Sequence, residues 1–168
     1  MINKKYKPRL FDFIKVIPEL DRLLTTLIIK SKPLLLLKYI NTIKHTDDKN
    51  KLNTILYSLN KIGKNQKIIF PLHPRTKKRI EEFDKEFENN FKNIEFIKPL
   101  GYIDMLEYLK KCQYVITDSG GLQKEAYFMN KLCLTLRDQT EWIELVDNGY
   151  NYLCPIDKQE IIKLSSKI

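Results

Sequence analysis

Short apolar segments alternate with helical segments along most of this chain. Five of the apolar segments carry enough apolar side chains on both faces to form buried strands. Strands that alternate with helices of about 8–15 residues are typical of βαβ units, so the chain is predicted to be an α/β protein with a parallel sheet flanked by helices. The strands are predicted at 67–72, 94–97, 114–117, 132–136 and 151–153, and the helices at 48–62, 75–90, 103–111, 121–129, 141–147 and 157–167.

The beginning of the chain follows a different pattern. Apolar residues from Leu20 to Ile28 recur at helical spacing and predict one amphipathic helix, and the apolar run 34–43 predicts a short buried strand. The basic residues are concentrated here, because residues 1–53 carry a net charge of +7 and the remaining residues only +2. We therefore divide the chain into an N-terminal helical or linker segment, residues 1–46, and an α/β domain, residues 47–168.

The composition disfavours several classes of protein. A chain of 168 residues with 43% hydrophobic and 30% charged residues is typical of one folded domain and not of a disordered segment. The basic excess consists of 25 Lys and only 5 Arg. Since proteins that recognise nucleic-acid sequences favour arginine for contacts to base edges, a nucleic-acid-binding function is disfavoured.

Membrane, secreted and zinc-binding proteins are disfavoured as well. No stretch approaches the roughly 18–20 apolar residues of a membrane helix, and the N-terminus lacks the apolar core of a signal peptide. The three cysteines, Cys112, Cys133 and Cys154, form no C-x-x-C pair, and the chain has only two histidines. We therefore expect a cytoplasmic protein without a metal site.

The loop after the predicted strand 114–117 is the strongest candidate for a ligand site, because open α/β sheets bind ligands at the carboxyl ends of their strands. Ser119 precedes Gly120 and Gly121, whose missing Cβ atoms let a ligand approach the backbone N–H groups. Those groups begin a helix and favour a phosphate or diphosphate, while Glu125, about one turn further, can accept hydrogen bonds from a ribose diol. The pattern indicates a nucleotide site. The alternative is an ordinary turn with Ser119 as N-cap and Glu125 in solvent.

Four segments of the chain carry longer motifs. They are Phe70-Pro71-Leu72-His73-Pro74-Arg75-Thr76, Thr117-Asp118-Ser119-Gly120-Gly121-x-Gln123-x-Glu125-Ala126, Leu136-Arg137-Asp138-x-Thr140-Glu141-Trp142 and Asn148-Gly149-Tyr150-Asn151. In their order and spacing, residues 47–165 resemble the non-hydrolysing UDP-N-acetylglucosamine 2-epimerases. The resemblance implies a glycosyltransferase-B-like architecture, in which two Rossmann-like domains enclose the active site. It covers only the carboxyl-terminal, UDP-binding domain.

The resemblance also implies roles for individual residues around UDP. The Ser119-Gly120-Gly121 segment would hold the diphosphate, and Glu125 would accept the ribose hydroxyls. The loop from Leu100 to Met105 would lie against the uracil. Met105 stands where many members have an aromatic residue, and it can cover a base face although it stacks less well.

Two further residues of the resemblance lie after the predicted strand 132–136. Trp142 stands where some members have an arginine, so a contact to the diphosphate is lost if no other residue replaces it. Arg137 either supplies positive charge to the ligand or pairs with Asp138 or Glu141.

The two histidines are the remaining candidates. His73 follows the predicted strand 67–72 and either points toward the cleft or forms a hydrogen bond within the turn 71–74. His45 is the candidate catalytic residue. It is either the remnant of the family's functional histidine or, if this chain has lost the family's loop, a lone exposed histidine.

The reaction that the resemblance implies inverts C2 of UDP-N-acetylglucosamine by elimination and re-addition of UDP, in cell-surface polysaccharide biosynthesis. It needs no metal, nicotinamide or other cofactor. The family's acidic proton-transfer residues belong to an amino-terminal domain that these residues do not include. We therefore expect a truncated or split form that binds UDP or a UDP-sugar without turnover, and that pairs with the missing domain or with a second copy of itself. The alternatives are a non-catalytic nucleotide-sugar-binding module and, less favoured, a basic nucleic-acid binder.

Overall fold

The structure is a computed structural model that describes residues 38–41, as backbone, and residues 48–168. The predicted N-terminal helix and His45 lie outside the described residues. The strands are β1 (Lys38–Asn41), β2 (Ile68–Pro71), β3 (Ile94–Ile97), β4 (Tyr114–Thr117), β5 (Leu132–Thr135) and β6 (Asn151–Leu153), and the helices are α1 (Lys49–Ile62), α2 (Pro74–Glu81), α3 (Phe87–Asn90), α4 (Tyr102–Lys111), α5 (Gly120–Phe128), α6 (Ile143–Asp147) and α7 (Lys158–Lys167).

The described strands form one parallel sheet in the order β3-β2-β1-β4-β5-β6. This is the strand order of the Rossmann fold, and the α/β prediction is confirmed. The order reverses between β1 and β4, whose carboxyl ends therefore border the crevice in which such sheets bind ligands. β1 lies within the predicted strand 34–43, so the sheet extends ahead of residue 47, where the α/β domain was predicted to begin.

Helices cover both faces of the sheet. On β4, Tyr114 and Ile116 pack with buried residues of α1, α2, α3 and α7, whereas Val115 packs with buried residues of α4 and α5. This alternation follows from the period of two along a strand. At the first face, the Tyr114 hydroxyl is hydrogen-bonded to Ser165 of α7, which joins the sheet to the last helix. Of the helices that the structure describes, none has the length and apolarity to cross a membrane.

The predicted single helix over 75–90 is wrong, because the chain forms two helices there, α2 and α3. Asp84 lies between them, and its carboxylate accepts hydrogen bonds from the backbone N–H of Glu86 and from the side-chain amide of Asn90. A short carboxylate that bonds the nearby backbone competes with helix formation, which accounts for the interruption. Ile80 of α2 and Phe87 of α3 are both buried in the core.

Candidate functional site

Helix α5 begins at the carboxyl end of β4, beside the point where the strand order reverses. Ser119 is its N-cap residue and has extended backbone angles, with φ −86° and ψ 125°. The Ser119 hydroxyl forms no capping hydrogen bond to the helix. Its backbone N–H donates instead to Oγ1 of Thr117 at 3.0 Å, which holds the loop against the buried end of β4. Ser119 therefore holds the N-cap position, but its side chain does not cap the helix as the alternative required.

The two glycines at the start of α5 have different surroundings. A Cβ atom on Gly120 would collide with the carboxylate of Glu141, so packing within the protein accounts for this glycine. A Cβ atom on Gly121 would meet only the Ser119 hydroxyl, at an ordinary contact distance of 3.9 Å. Gly121 is exposed, so nothing within the described part of the chain requires a glycine there. A bound group that approaches the backbone would require one.

Glu125 lies one helical turn beyond Gly121 on α5 and is half-buried. Its carboxylate has no hydrogen-bond or ion-pair partner among the described residues, in contrast to Glu107 of α4, whose pKa the neighbouring Lys110 lowers. The arrangement provides backbone donors at the helix start and a carboxylate acceptor one turn behind them. The predicted roles of Ser119, Gly121 and Glu125 toward a ligand remain predictions.

Trp142 braces the first turn of α5 in this structure. Its indole N–H donates to the backbone carbonyl of Gly120 at 3.0 Å, and the ammonium of Lys124 lies 3.5 Å from the centre of a Trp142 ring. A cation over an indole face is attracted by the ring electrons. The contact places Lys124 beside the start of its own helix. Lys124 was not predicted from the sequence, and no local pattern identifies it, because the tryptophan that it contacts belongs to another loop.

Arg137 pairs with Glu141 and not with Asp138. Its Nη1 lies 2.9 Å from Oε2 of Glu141, and the arginine side chain is only 19% exposed whereas that of Glu141 is 48% exposed. Arg137 and Glu141 lie four residues apart in the loop that joins β5 to α6, and Trp142 follows directly. This loop and the start of α5 therefore form one continuous surface, through the contacts of Gly120 with Glu141 and Trp142.

A buried polar network lies beneath the surface formed by the start of α5 and the loop between β5 and α6. The Oε1 atom of Gln123, which is 1% exposed, accepts hydrogen bonds from the Thr140 hydroxyl at 2.6 Å and from the Asn151 amide at 2.7 Å. The Thr135 hydroxyl donates to the side-chain oxygen Oδ1 of Asn151 at 2.6 Å, and Nε2 of Gln123 donates to the backbone carbonyl of Ser119 at 3.3 Å. The network joins α5, β5, β6 and the loop before α6. All of these residues except Thr135 appear in the motifs, but their mutual contacts were not predicted from the sequence.

Leu100 and Met105 lie near the amino end of α4, on the face of the sheet that α5 covers. Both are half-buried and pack against the apolar cluster that contains Leu122 and Ala126 of α5. The structure thus brings the segment predicted to lie against uracil to the same side as the start of α5. Contact with a base remains a prediction for both residues.

His73 caps helix α2 through Nδ1, which accepts a hydrogen bond from the backbone N–H of Arg75 at 3.3 Å. This is the alternative in which the histidine bonds within its own turn. His73 is exposed and follows β2, which β1 separates from β4. With strands about 4.8 Å apart, the two loops lie roughly 10 Å from each other across the sheet. His45, the other predicted histidine, lies outside the described residues.

The cysteines have the character of core residues. All three are free and buried, and burial raises the pKa of Cys112 to about 11 and that of both Cys133 and Cys154 to about 12. A thiol with so high a pKa carries almost no thiolate near neutral pH and is a poor nucleophile or metal ligand. In the described part of the chain, no group of three His, Cys, Asp or Glu side chains is placed to hold a metal ion.

Comparison with known proteins identifies relatives over most of the chain. A family model described as UDP-N-acetylglucosamine 2-epimerase matches residues 21–168. A UDP-N-acetylglucosamine 2-epimerase homolog of Methanococcus maripaludis is 41% identical over 139 residues, which is 82% of this chain and 38% of that protein. The UDP-2,3-diacetamido-2,3-dideoxy-D-glucuronate 2-epimerase of Pseudomonas aeruginosa is 40% identical over 129 residues, which is 76% of this chain and 35% of that protein.

The solved structures agree with the sequence matches. The UDP-GlcNAc 2-epimerase of Methanocaldococcus jannaschii, solved in complex with UDP-GlcNAc and UDP, is 30% identical with a TM-score of 0.73, covering 92% of this chain and 42% of that one. The chain spans little more than a third of the length of the two curated relatives, and its sheet is one Rossmann-like half of a glycosyltransferase-B-like fold. On these matches, the chain belongs to the UDP-N-acetylglucosamine 2-epimerase family.

Proposed function

We propose that this chain binds the UDP portion of a UDP-sugar at the start of α5. The observation that carries the proposal is Gly121, an exposed glycine that the described protein atoms do not require. It lies between Ser119, whose hydroxyl does not cap the helix, and Glu125, whose carboxylate has no partner among the described residues. The backbone N–H groups of the first turn favour the diphosphate, and the carboxylate of Glu125 accepts the ribose hydroxyls.

The relatives support the nucleotide as the bound group. They include epimerases named for UDP-GlcNAc and for UDP-2,3-diacetamido-2,3-dideoxy-D-glucuronate, at 40% identity in both cases. These substrates differ in the sugar and share UDP. The shared part is the one that a phosphate-binding helix and a diol acceptor recognise, so the sugar itself is left to residues outside the proposed site.

In the family reaction, a base removes the C2 proton, UDP leaves, and UDP adds back after reprotonation on the other face. The contribution of this chain is to stabilise the charge that develops on the departing diphosphate, through backbone N–H groups that are already oriented. The proton-transfer groups belong to a second domain, which is the proposed protein partner. We place the protein in the cytoplasm, which its free and buried cysteines support.

Calorimetric titration with UDP, with ADP as the control ligand, tests the proposal on the purified chain. We expect binding of UDP, weaker binding of ADP and no conversion of UDP-GlcNAc. Absence of UDP binding would remove the nucleotide site. Turnover of UDP-GlcNAc by the chain alone would contradict the assignment of proton transfer to another domain.

A further inference from the structure

The carboxylate of Glu141 lies where an anionic ligand of α5 is expected. A Cβ atom built on Gly120, the first residue of the helix, would collide with Oε1 of Glu141. The start of a helix carries partial positive charge and attracts anions. A carboxylate held against the first residue of α5 therefore places a negative charge at the positive end of this helix.

Arg137 holds this carboxylate in place. Its Nη1 donates to Oε2 of Glu141 at 2.9 Å, and the largely buried arginine side chain has little freedom to leave the site. The carboxylate is much more exposed than the guanidinium, so it can move into solvent while Arg137 stays. Trp142, next in sequence, remains anchored by its bond to the Gly120 carbonyl, so a change in the Glu141 side chain leaves the loop in place.

We propose that Glu141 is an internal competitor of the ligand diphosphate, and that it sets the affinity of the site. In the free chain, its carboxylate neutralises Arg137 and the start of α5. When the diphosphate binds, the carboxylate turns into solvent and Arg137 transfers its hydrogen bond from Glu141 to a phosphate oxygen. This inference rests on the proposed nucleotide function and explains why Arg137 forms an ion pair within a site that must receive an anion.

The competition has a measurable consequence. Glu141→Gln removes the negative charge and keeps the size of the side chain and an acceptor for Arg137. We expect this variant to bind UDP about 3- to 10-fold more tightly, because the ligand no longer displaces a charge from a half-exposed ion pair and a helix start. Arg137→Gln removes the group that both anions share, and we expect it to weaken UDP binding about 10-fold.

Calorimetry of UDP binding to the wild-type chain, Glu141→Gln and the control Glu144→Gln tests the inference. Glu144 is exposed on α6 and provides the same change of charge three residues away. We expect the control to bind UDP as the wild type does. Equal or weaker binding by Glu141→Gln, or an equal gain in both variants, would overturn the competition.

A second measurement needs no nucleotide. In ¹⁵N-resolved NMR spectra of the free chain, Glu141→Gln should shift the Gly120 amide resonance, and Glu144→Gln should leave it unchanged. An unmoved resonance would show that the carboxylate is not at the helix start. If the wild type binds UDP and Glu141→Gln changes nothing, only this inference fails. If neither protein binds UDP, the proposed function fails, and the proposed competition between Glu141 and the diphosphate fails with it.

Discussion

Helices α5 and α7 both follow strands in the same half of the sheet, yet their first turns are completed in different ways. Asp157 caps α7, since its Oδ1 accepts hydrogen bonds from the backbone N–H groups of Gln159 at 2.8 Å and of Glu160 at 3.0 Å. Ser119 occupies the equivalent position of α5, and its hydroxyl caps nothing. Both residue types are strong N-caps, so residue preference alone does not distinguish the two starts.

The difference separates a helix start that its own N-cap residue completes from one that we propose serves binding. The start of α7 is satisfied by its own N-cap. At the start of α5, Trp142 and Gln123 donate hydrogen bonds to backbone carbonyls, and the carboxylate of Glu141 lies against Gly120. The Ser119 hydroxyl forms no capping hydrogen bond. A first turn that is held in place but not capped by its own residue is suited to an external anion. Five substitutions, each read against the wild-type chain, test this comparison.

The largest effect is expected from Gly121→Val. A valine side chain would occupy the space of the proposed diphosphate, and we expect UDP affinity to fall about 100-fold or more, which is roughly 3 kcal/mol. Thermal unfolding should change little, because a Cβ atom at this position meets no crowded protein atom. Retained UDP affinity in calorimetry would show that α5 binds no phosphate, and Gly121→Ala provides a graded control with a smaller loss.

Gln123→Leu should have the next largest effect, on stability. The substitution leaves the half-buried Thr140 and the buried Asn151 without their shared acceptor, which costs about 2–3 kcal/mol in the free energy of unfolding measured by urea titration. UDP affinity should fall as well, because the support of the Ser119 carbonyl is lost. An unchanged unfolding free energy would contradict the structural role of the network.

Ser119→Ala and Glu125→Ala should each weaken UDP binding by about 1–2 kcal/mol, the value of a hydrogen bond to a charged partner. Neither side chain bonds a described residue in the free chain, so the melting temperature should hardly change. Calorimetry and thermal unfolding of the same samples separate the two effects. A large loss of stability with unchanged affinity would make the start of α5 resemble that of α7.

Asp157→Ala should have the smallest effect and the opposite pattern. Loss of the cap of α7 is expected to lower the unfolding free energy by about 1 kcal/mol without a change in UDP affinity. Asp157→Asn keeps an acceptor oxygen and should recover most of the loss. An effect of Asp157→Ala on UDP binding would remove the distinction between the two helix starts.

Local patterns were sufficient for most of the fold and for the centre of the candidate site. The alternation of strands and helices predicted the parallel sheet, and the two glycines after Ser119 identified the start of α5. The patterns failed at Asp84, where a side chain bonds the neighbouring backbone and divides a helix that its apolar spacing favours. They also left the position of β1 unspecified, because the partners of a strand depend on how the whole chain folds.

The sequence by itself thus determined the α/β class and the anion-favouring start of α5, since apolar periodicity and glycine content act over a few neighbouring residues. Only the tertiary structure decided which side chains meet around that start. Gln123 bonds residues 17 and 28 positions away, Trp142 bonds a carbonyl 22 positions back, and Glu141 reaches the first residue of α5. Such contacts depend on the packing of separate loops against the sheet, so the spacing of residues within one segment does not predict them.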